Sequence, residues 1–576
     1  MTPIDWAVFS AYLALVMWIG VRAGRHVRGA ATSSADGAGG ADAADEYLLA
    51  GRSMSWWTVG LSIMATQASA ITVIGTTGKA FADGMGFAQF YLGLPVAMVI
   101  LAFTLLPLFR RAGVTTAYEL LGQRFDERTR LATAILFLAS RGLALGVVIY
   151  APSVVLSLLL GWSTPACVGA MTLVALGYTV VGGLRAVIVT DVLQMALVLG
   201  GLVLAAALML NGLPAGANLS GVLDLASASG RTQLLDWSFE PSEKYTVWSG
   251  LLGGTFLFLA YFGCDQSQVQ RLLAARSLTD GRRALLLNAL AKIPLQLFVL
   301  FVGVLLFGAL QFDDEQPLHF DGRVEPAIEA AGLGPELDAL RERHAAALEA
   351  RHAAALPAAR AGWDPSADGR DQAAWLAAQA EVDAARAETL ALAERAGVEN
   401  ADDTNHVFPW FLVNRLPLGL VGLLVAAVFA AAMSSIDSEL NALATTTVVD
   451  IWQHHVQPDA DQRGLVRVGR LATVAWALLA AAFALQAAAL GSVIEAVNTV
   501  GSYFYGSLLG VFVLAFAVPR ATGRGAFWGL FVGMAAVGVA QSADIAWLWL
   551  NPIGCLAAVA AGVVLSERGD CRAPVA

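Results

Sequence analysis

The chain has 576 residues, 57% of them hydrophobic and 14% charged, with a mean hydropathy of +0.65. Soluble domains are about a quarter charged, so this composition excludes an ordinary water-soluble fold. The net charge of −10 is local: residues 313–406 hold 20 Asp and Glu against eight Arg, which leaves the remainder weakly basic and gives nucleic-acid binding no support.

Thirteen apolar spans are expected, at 5–23, 55–81, 85–109, 129–160, 163–181, 186–211, 247–273, 281–310, 417–449, 468–490, 494–519, 525–541 and 545–566. Runs of this kind cross a hydrocarbon core of about 30 Å, so the chain reads as a multi-pass protein of a lipid bilayer. The first run, from Trp6 to Val21, follows Asp5 and precedes Arg22, Arg25 and Arg28. That is the reverse of the charge order in a cleavable signal, so the run reads as a retained span. Residues 28–45, rich in Ala, Gly, Ser and Asp, read as a flexible cytoplasmic linker. Basic residues mark every second loop: Arg52, then Arg110, Arg111, Arg124, Arg128 and Arg130, then Arg185. Arg271, Arg276, Arg282 and Arg283 follow, then Arg463, Arg467 and Arg470, then Arg520 and Arg524. The positive-inside rule therefore puts the N-terminus outside and the C-terminus in the cytoplasm of an inner (plasma) membrane. Residues 312–406 fall outside, where 335–360 and 371–396 suggest a helical hairpin turning at GWDPSADG. This insert is either a decorated loop or an element that covers the protein or docks a partner, whose nature the sequence leaves open. Four cysteines (Cys167, Cys264, Cys555, Cys571) have neither metal nor disulfide spacing, and the seven histidines form no HExxH cluster.

Charged side chains inside lipid are costly and normally face a protein interior or a wet cavity. The candidates are Arg141 in span four, Asp191 in span six, Asp265 in span seven, Lys292 in span eight and Asp437 in span nine. Asp191 and Asp437 fall at similar depth, and with Ser434, Ser435 and Ser438 they offer the oxygen ligands a hard cation prefers. Arg141 lies about 16 Å from the start of its span. It is placed either to meet an anionic solute, alone or with Lys292, or to form an internal ion pair with Asp265 or Glu495. In span two, residues 65–70 read Ala-Thr-Gln-Ala-Ser-Ala and are followed by Gly75 and Gly78. Small residues and hydroxyls at mid-span allow either an unwound helix lining a cavity or close helix packing.

Four stretches carry a family resemblance: EYLLAGRSMSWW (46–57), GGLRAVIVTDVLQ (182–194), DQSQVQR (265–271) and AAAMSSIDSELNALATTTVVDI (430–451). With these motifs the chain resembles the sodium:solute symporter family. That resemblance implies an all-α integral membrane protein with a LeuT-type core of two inverted five-helix repeats and about 13 transmembrane helices. It divides the chain into a first helix and linker (1–45), repeats at 46–211 and 212–519, the latter holding the 312–406 insert, and two final helices (520–576).

The resemblance further implies sodium held by carbonyls of Ala65, Ala68, Ala431 and Ser434 and by the Ser435 hydroxyl. A second sodium would use Asp191, Ser434, Asp437 and Ser438, with Asp437 standing where the family usually has a hydroxyl. Residues expected to face the solute are Gln67, Thr72, Gln89, Arg141, Asp265, Lys292 and Asn498. Ile71 and Thr72 stand where sugar-carrying members have an acid–Gln pair, whereas residues 146–153 and DQSQVQR resemble the monocarboxylate, iodide and vitamin branch. The expected activity is thus sodium-driven uptake of a small polar solute, an organic anion ahead of a sugar or other neutral solute. A non-transporting solute sensor and proton coupling through Asp191 and Asp437 stay open. No nucleophile–base or metal constellation suggests an enzyme.

Overall fold

The structure, a computed structural model, describes residues 2–35, 43–361, 370–398, 401–415, 417, 419–486 and 493–566; the GWDPSADG turn lies outside them. The described residues are overwhelmingly helical, and the thirteen expected spans correspond to helices α1–α13. Among the described residues, nine helices are long and apolar enough to cross a membrane as they stand, and a bent pair makes a tenth. The 48-residue helix Thr164–Asn211 would be more than twice a bilayer long, and Gly183 breaks it into α5 (164–182) and α6 (184–211). Gly183 has φ 57° and ψ −154°, and a Cβ there would collide with the Tyr47 carbonyl, so only glycine fits.

The other spans are α1 (Pro3–Ala35), α3 (Met85–Ala112), α4 (Glu127–Leu160), α8 (Leu278–Leu310), α9 (Leu420–Val456), α10 (Gln462–Ala484), α11 (Val493–Ala517), α12 (Gly523–Ser542) and α13 (Trp547–Ser566). Two are interrupted. In α2, Trp56–Gln67 and Thr72–Asp83 meet at 63°, and in α7, Ser249–Gly263 is followed by Gln266–Ala274. Side-chain caps start α4 (Asp126 to the Thr129 N–H), α8 (Ser277 to Asp280), α10 (Asp461 to Gly464) and α12 (Thr522 to Gly525). Each cap is worth about 1 kcal/mol, and all four sit beside loops expected to be cytoplasmic. The linker differs from its expectation: α1 stays helical through Ala35, and Ala43–Leu49 forms a further helix.

α9 is the hub. Of its apolar window 83% is buried, against 28% for α1. Ala430, Ala431 and Ala432 are almost fully enclosed, and such small side chains let α2, α4 and α6 approach its backbone.

The insert is the expected helical hairpin, Gly334–Ala361 against Arg370–Arg395. It is fastened to the end of α8: Arg351 donates to the carbonyls of Leu310 (2.9 Å) and Asp313 (3.1 Å), and the Trp375 indole N–H donates to Gln311 (3.2 Å). Phe320 packs between Phe81 of α2 and Trp410. The segment returning to α9 lies on α2, where a Cβ at Gly78 would run into the Thr404 carbonyl.

Candidate functional site

The break in α2 is where carbonyls are freed. Ala68 leaves helical geometry (φ −86°, ψ 53°), and the Thr72 hydroxyl donates back to the Gln67 carbonyl at 2.8 Å. α9 crosses at this level. The Ser434 hydroxyl donates to the carbonyls of Ala65 (2.9 Å) and Ala431 (3.0 Å), and the Ser435 hydroxyl donates to that of Thr66 (2.9 Å). Four of the five residues expected to ligate sodium therefore meet at one crossing. Ala68, buried, marks the break just beyond it. The cluster offers only neutral oxygens, the ligand type a weakly bound monovalent hard cation requires.

A second polar cluster lies further along α9. The Asp437 carboxylate accepts from the Tyr178 hydroxyl at 2.6 Å and from Ser438 at 3.2 Å. Asp191 accepts from Ser62 at 2.5 Å, and its other oxygen is buried with no partner among the described residues. Arg271 joins the two acids' surroundings: it donates to Ser62 at 2.8 Å, to Asp191 at 3.4 Å and to Ser438. Thr66 contacts Ser438 at 3.1 Å, which links this cluster to the first. Arg271 corrects the loop assignment made from sequence. It is fully buried among Asp191, Ser62 and Ser438 and is not part of the basic loop, because a guanidinium beside a buried carboxylate is held by the pairing.

On the other side of the crossing is a cavity of about 160 Å³. Thr66, Gln67, Thr72 and Ser435 line its α2–α9 wall, and Phe87, Phe90, Tyr91, Phe258, Tyr261 and Tyr505 give it aromatic sides. Arg141 and Lys292 both reach it. The Lys292 ammonium is fully buried, 5.7 Å from the Tyr91 ring centroid, with no hydrogen-bond partner among the described residues. Arg141 sits between Tyr261 and Tyr505 and pairs with Asp265 (2.5 Å) and Glu439 (3.0 Å), and its Nη2 has no hydrogen-bond partner among the described residues.

The expected solute-facing residues divide accordingly. Gln67, Thr72, Arg141 and Lys292 line the cavity. Asp265 does not; it caps Gln266–Ala274 through Ser267 and holds Arg141 and the Tyr505 hydroxyl (3.2 Å). Gln89 lies apart, tying two loops together by donating to the Gly86 and Tyr245 carbonyls and accepting from the Asp236 N–H. The side chains of Asn498 and Glu495 lie outside the described residues. Glu439 went unread from sequence, although it stands one helical turn after Ser435 and so shares its face of α9.

A model of the sodium:solute symporter family matches residues 47–319 and 384–533. The chain belongs to that family. The symporter lacks a family match over 320–383, most of the insert. It is 25% identical to the human sodium-coupled monocarboxylate transporter 2, over 92% of its own length and 71% of the relative's. It is 26% identical to the human sodium/iodide cotransporter over 92% and 68% of the two chains. A putative sodium-dependent multivitamin transporter of Drosophila melanogaster is 27% identical over 85% and 68%. In structure the symporter superposes on a sodium-coupled sialic acid symporter in a substrate-bound, outward-open state with a TM-score of 0.75. That match has 22% identity and covers 100% of this chain and 99% of the other, establishing the LeuT-like fold. The protein is a multi-pass membrane transporter coupled to sodium, not an enzyme.

Proposed function

We propose that this symporter carries a small organic anion inward with sodium, the anion resting on Lys292 and Arg141 in the central cavity. The observation that carries this reading is the Lys292 ammonium, buried in the cavity wall without a counter-ion or hydrogen-bond partner among the described residues. A buried charge of this kind costs several kcal/mol unless something pairs with it. The four charged groups around the cavity balance, Arg141 and Lys292 against Asp265 and Glu439. Sodium at Ser435 then adds one positive charge, and a monoanion restores neutrality. Each therefore raises the other's affinity, and by linkage the effect is reciprocal. The named solutes of the monocarboxylate and iodide relatives are anions, which agrees.

In this reading Ala65, Ala68, Ala431, Ser434 and Ser435 hold the main sodium, while Asp191, Ser434, Asp437 and Ser438 hold a second nearer the cytoplasm. Sodium closes α2 against α9 and favours the outward-open form. Residues 46–211 and 212–519 are the two inverted repeats, with the N-terminus outside, the C-terminus in the cytoplasm and the 312–406 insert outside. The test is uptake into proteoliposomes, with and without a sodium gradient, of labelled carboxylates and sugars in parallel. Sodium-driven accumulation of a carboxylate supports the proposal, whereas accumulation of neutral sugars alone defeats the anion assignment.

A further inference from the structure

We infer that the solute carries a hydroxyl on the carbon next to its carboxylate, and that Glu439 is the acceptor that selects it. The inference rests on the anion reading above. Glu439 is 5% exposed, and one of its oxygens accepts from Arg141 Nη1 at 3.0 Å. The other, Oε2, is buried with no partner among the described residues, although Glu439 lines the cavity. The unused polar groups of the wall are thus of two kinds: the donors Lys292 Nζ and Arg141 Nη2, and the acceptors Glu439 Oε2 and Gln67 Oε1.

A plain carboxylate satisfies only the donors. It also brings a negative charge beside the Glu439 carboxylate and leaves a buried acceptor unmade, which is penalised in full. One guanidinium fixes the spacing. Its Nη2 faces the solute's carboxylate while its Nη1 holds Glu439, so the donor that answers Oε2 must sit close to the carboxyl carbon. Charge decides what that donor is. An ammonium group would make the solute a zwitterion and leave sodium unbalanced, whereas a hydroxyl keeps it a monoanion. The aromatic sides and the volume of about 160 Å³ accommodate a body about the size of a benzene ring. The fitting class is therefore small 2-hydroxycarboxylates with a hydrogen, short alkyl or phenyl substituent.

The experiment measures affinities of purified full-length protein in sodium buffer for two matched pairs: glycolate against acetate, and mandelate against phenylacetate. The hydroxy acid of each pair is expected to bind about tenfold more tightly or better, the value of one hydrogen bond to a charged acceptor. In Glu439→Gln, an amide donor replaces the acceptor, and the ratio should fall to about one while sodium still raises the melting temperature. Glu439→Asp serves if the Gln variant loses that sodium response. Were Glu439 only the counter-ion of Arg141, its replacement would change stability and leave the ratio alone. Equal binding within each pair by the unmodified protein, or an unchanged ratio in a sodium-responsive variant, overturns the role of Glu439 and spares the anion reading. Failure of all four acids to bind in sodium overturns both.

Discussion

The Ser435 hydroxyl donates to the Thr66 carbonyl over 2.9 Å and at the same time lines the solute cavity, so one side chain touches both the expected ion site and the solute's chamber. In the proposed sodium site, removing it deletes one of roughly five oxygen ligands from a weakly held ion. Ser435→Ala is expected to raise the sodium concentration for half-maximal uptake severalfold with expression unchanged. Sodium titrations of uptake check this, and a wild-type curve would strike Ser435 from the ligand set.

The acid pair bears on stoichiometry. With Asp191 and Asp437 sharing a second ion, the unmodified protein should show a sodium Hill coefficient of about two, falling towards one in Asp191→Asn and Asp437→Asn. Arg271 already donates among these groups, so Arg271 and the ion must divide the available oxygens. A coefficient near one in the unmodified protein would mean that the guanidinium leaves no room for a second sodium.

Arg141 spans both open readings, being ion-paired and yet lining the cavity with an Nη2 that has no hydrogen-bond partner among the described residues. Arg141→Lys keeps the charge but loses the planar fork. It should fold, and weaken solute affinity more than sodium affinity. Arg141→Ala leaves Asp265 and Glu439 buried without their cation, and should lower expression or thermal stability by several kcal/mol. Unaltered solute affinity in a stable Arg141→Gln protein would limit Arg141 to a structural role.

The insert should loosen in acid. Burial, with Arg386 and Arg351 nearby, pushes the His344 imidazole down to about 4, and burial also lowers His406. Above about pH 6.5 His344 is neutral whether the hairpin is folded or not, so it contributes no pH dependence. As the pH falls from there towards 4, the unfolded hairpin takes up a proton that the folded one refuses. Stability drops by up to about 1.4 kcal/mol per pH unit. Hydrogen exchange of the two hairpin helices should therefore quicken, beyond the intrinsic rate change, between about pH 7 and about pH 5. His344→Leu should flatten that response.

What the sequence revealed follows from what is rare in an apolar chain. Lys292, Arg141 and Asp437 stood out because charge inside a span demands a reason, and the Ser434–Ser435 pair and the small residues of α2 carried the family's motif. The hairpin was legible from its Ala, Leu, Glu and Arg content. Glu439 was not: its partner Arg141 is 298 residues away, and no periodicity along a chain encodes a contact at that separation. Arg271 was misread for a related reason, since a basic residue near a span's end looks like a loop marker until Asp191, Ser62 and Ser438 are seen around it. Gln89 looked like a solute ligand because it is a polar residue in a span, yet it satisfies backbone groups of Gly86, Asp236 and Tyr245.

The abutment of Gly78 on Thr404 ties the insert's returning chain to a transport helix. The Thr72–Asp83 arm of α2 cannot move towards the chain that returns from the hairpin without displacing it, since not even a methyl group fits between them. That arm and the arm bearing Ala65 and Thr66 are two halves of one bent helix. A load on the hairpin, such as an antibody clamped across its two helices, should therefore slow uptake without any contact with ion or solute, which uptake rates with and without the antibody check. Because the family match skips residues 320–383, the same antibody would find no counterpart on relatives that lack the insert.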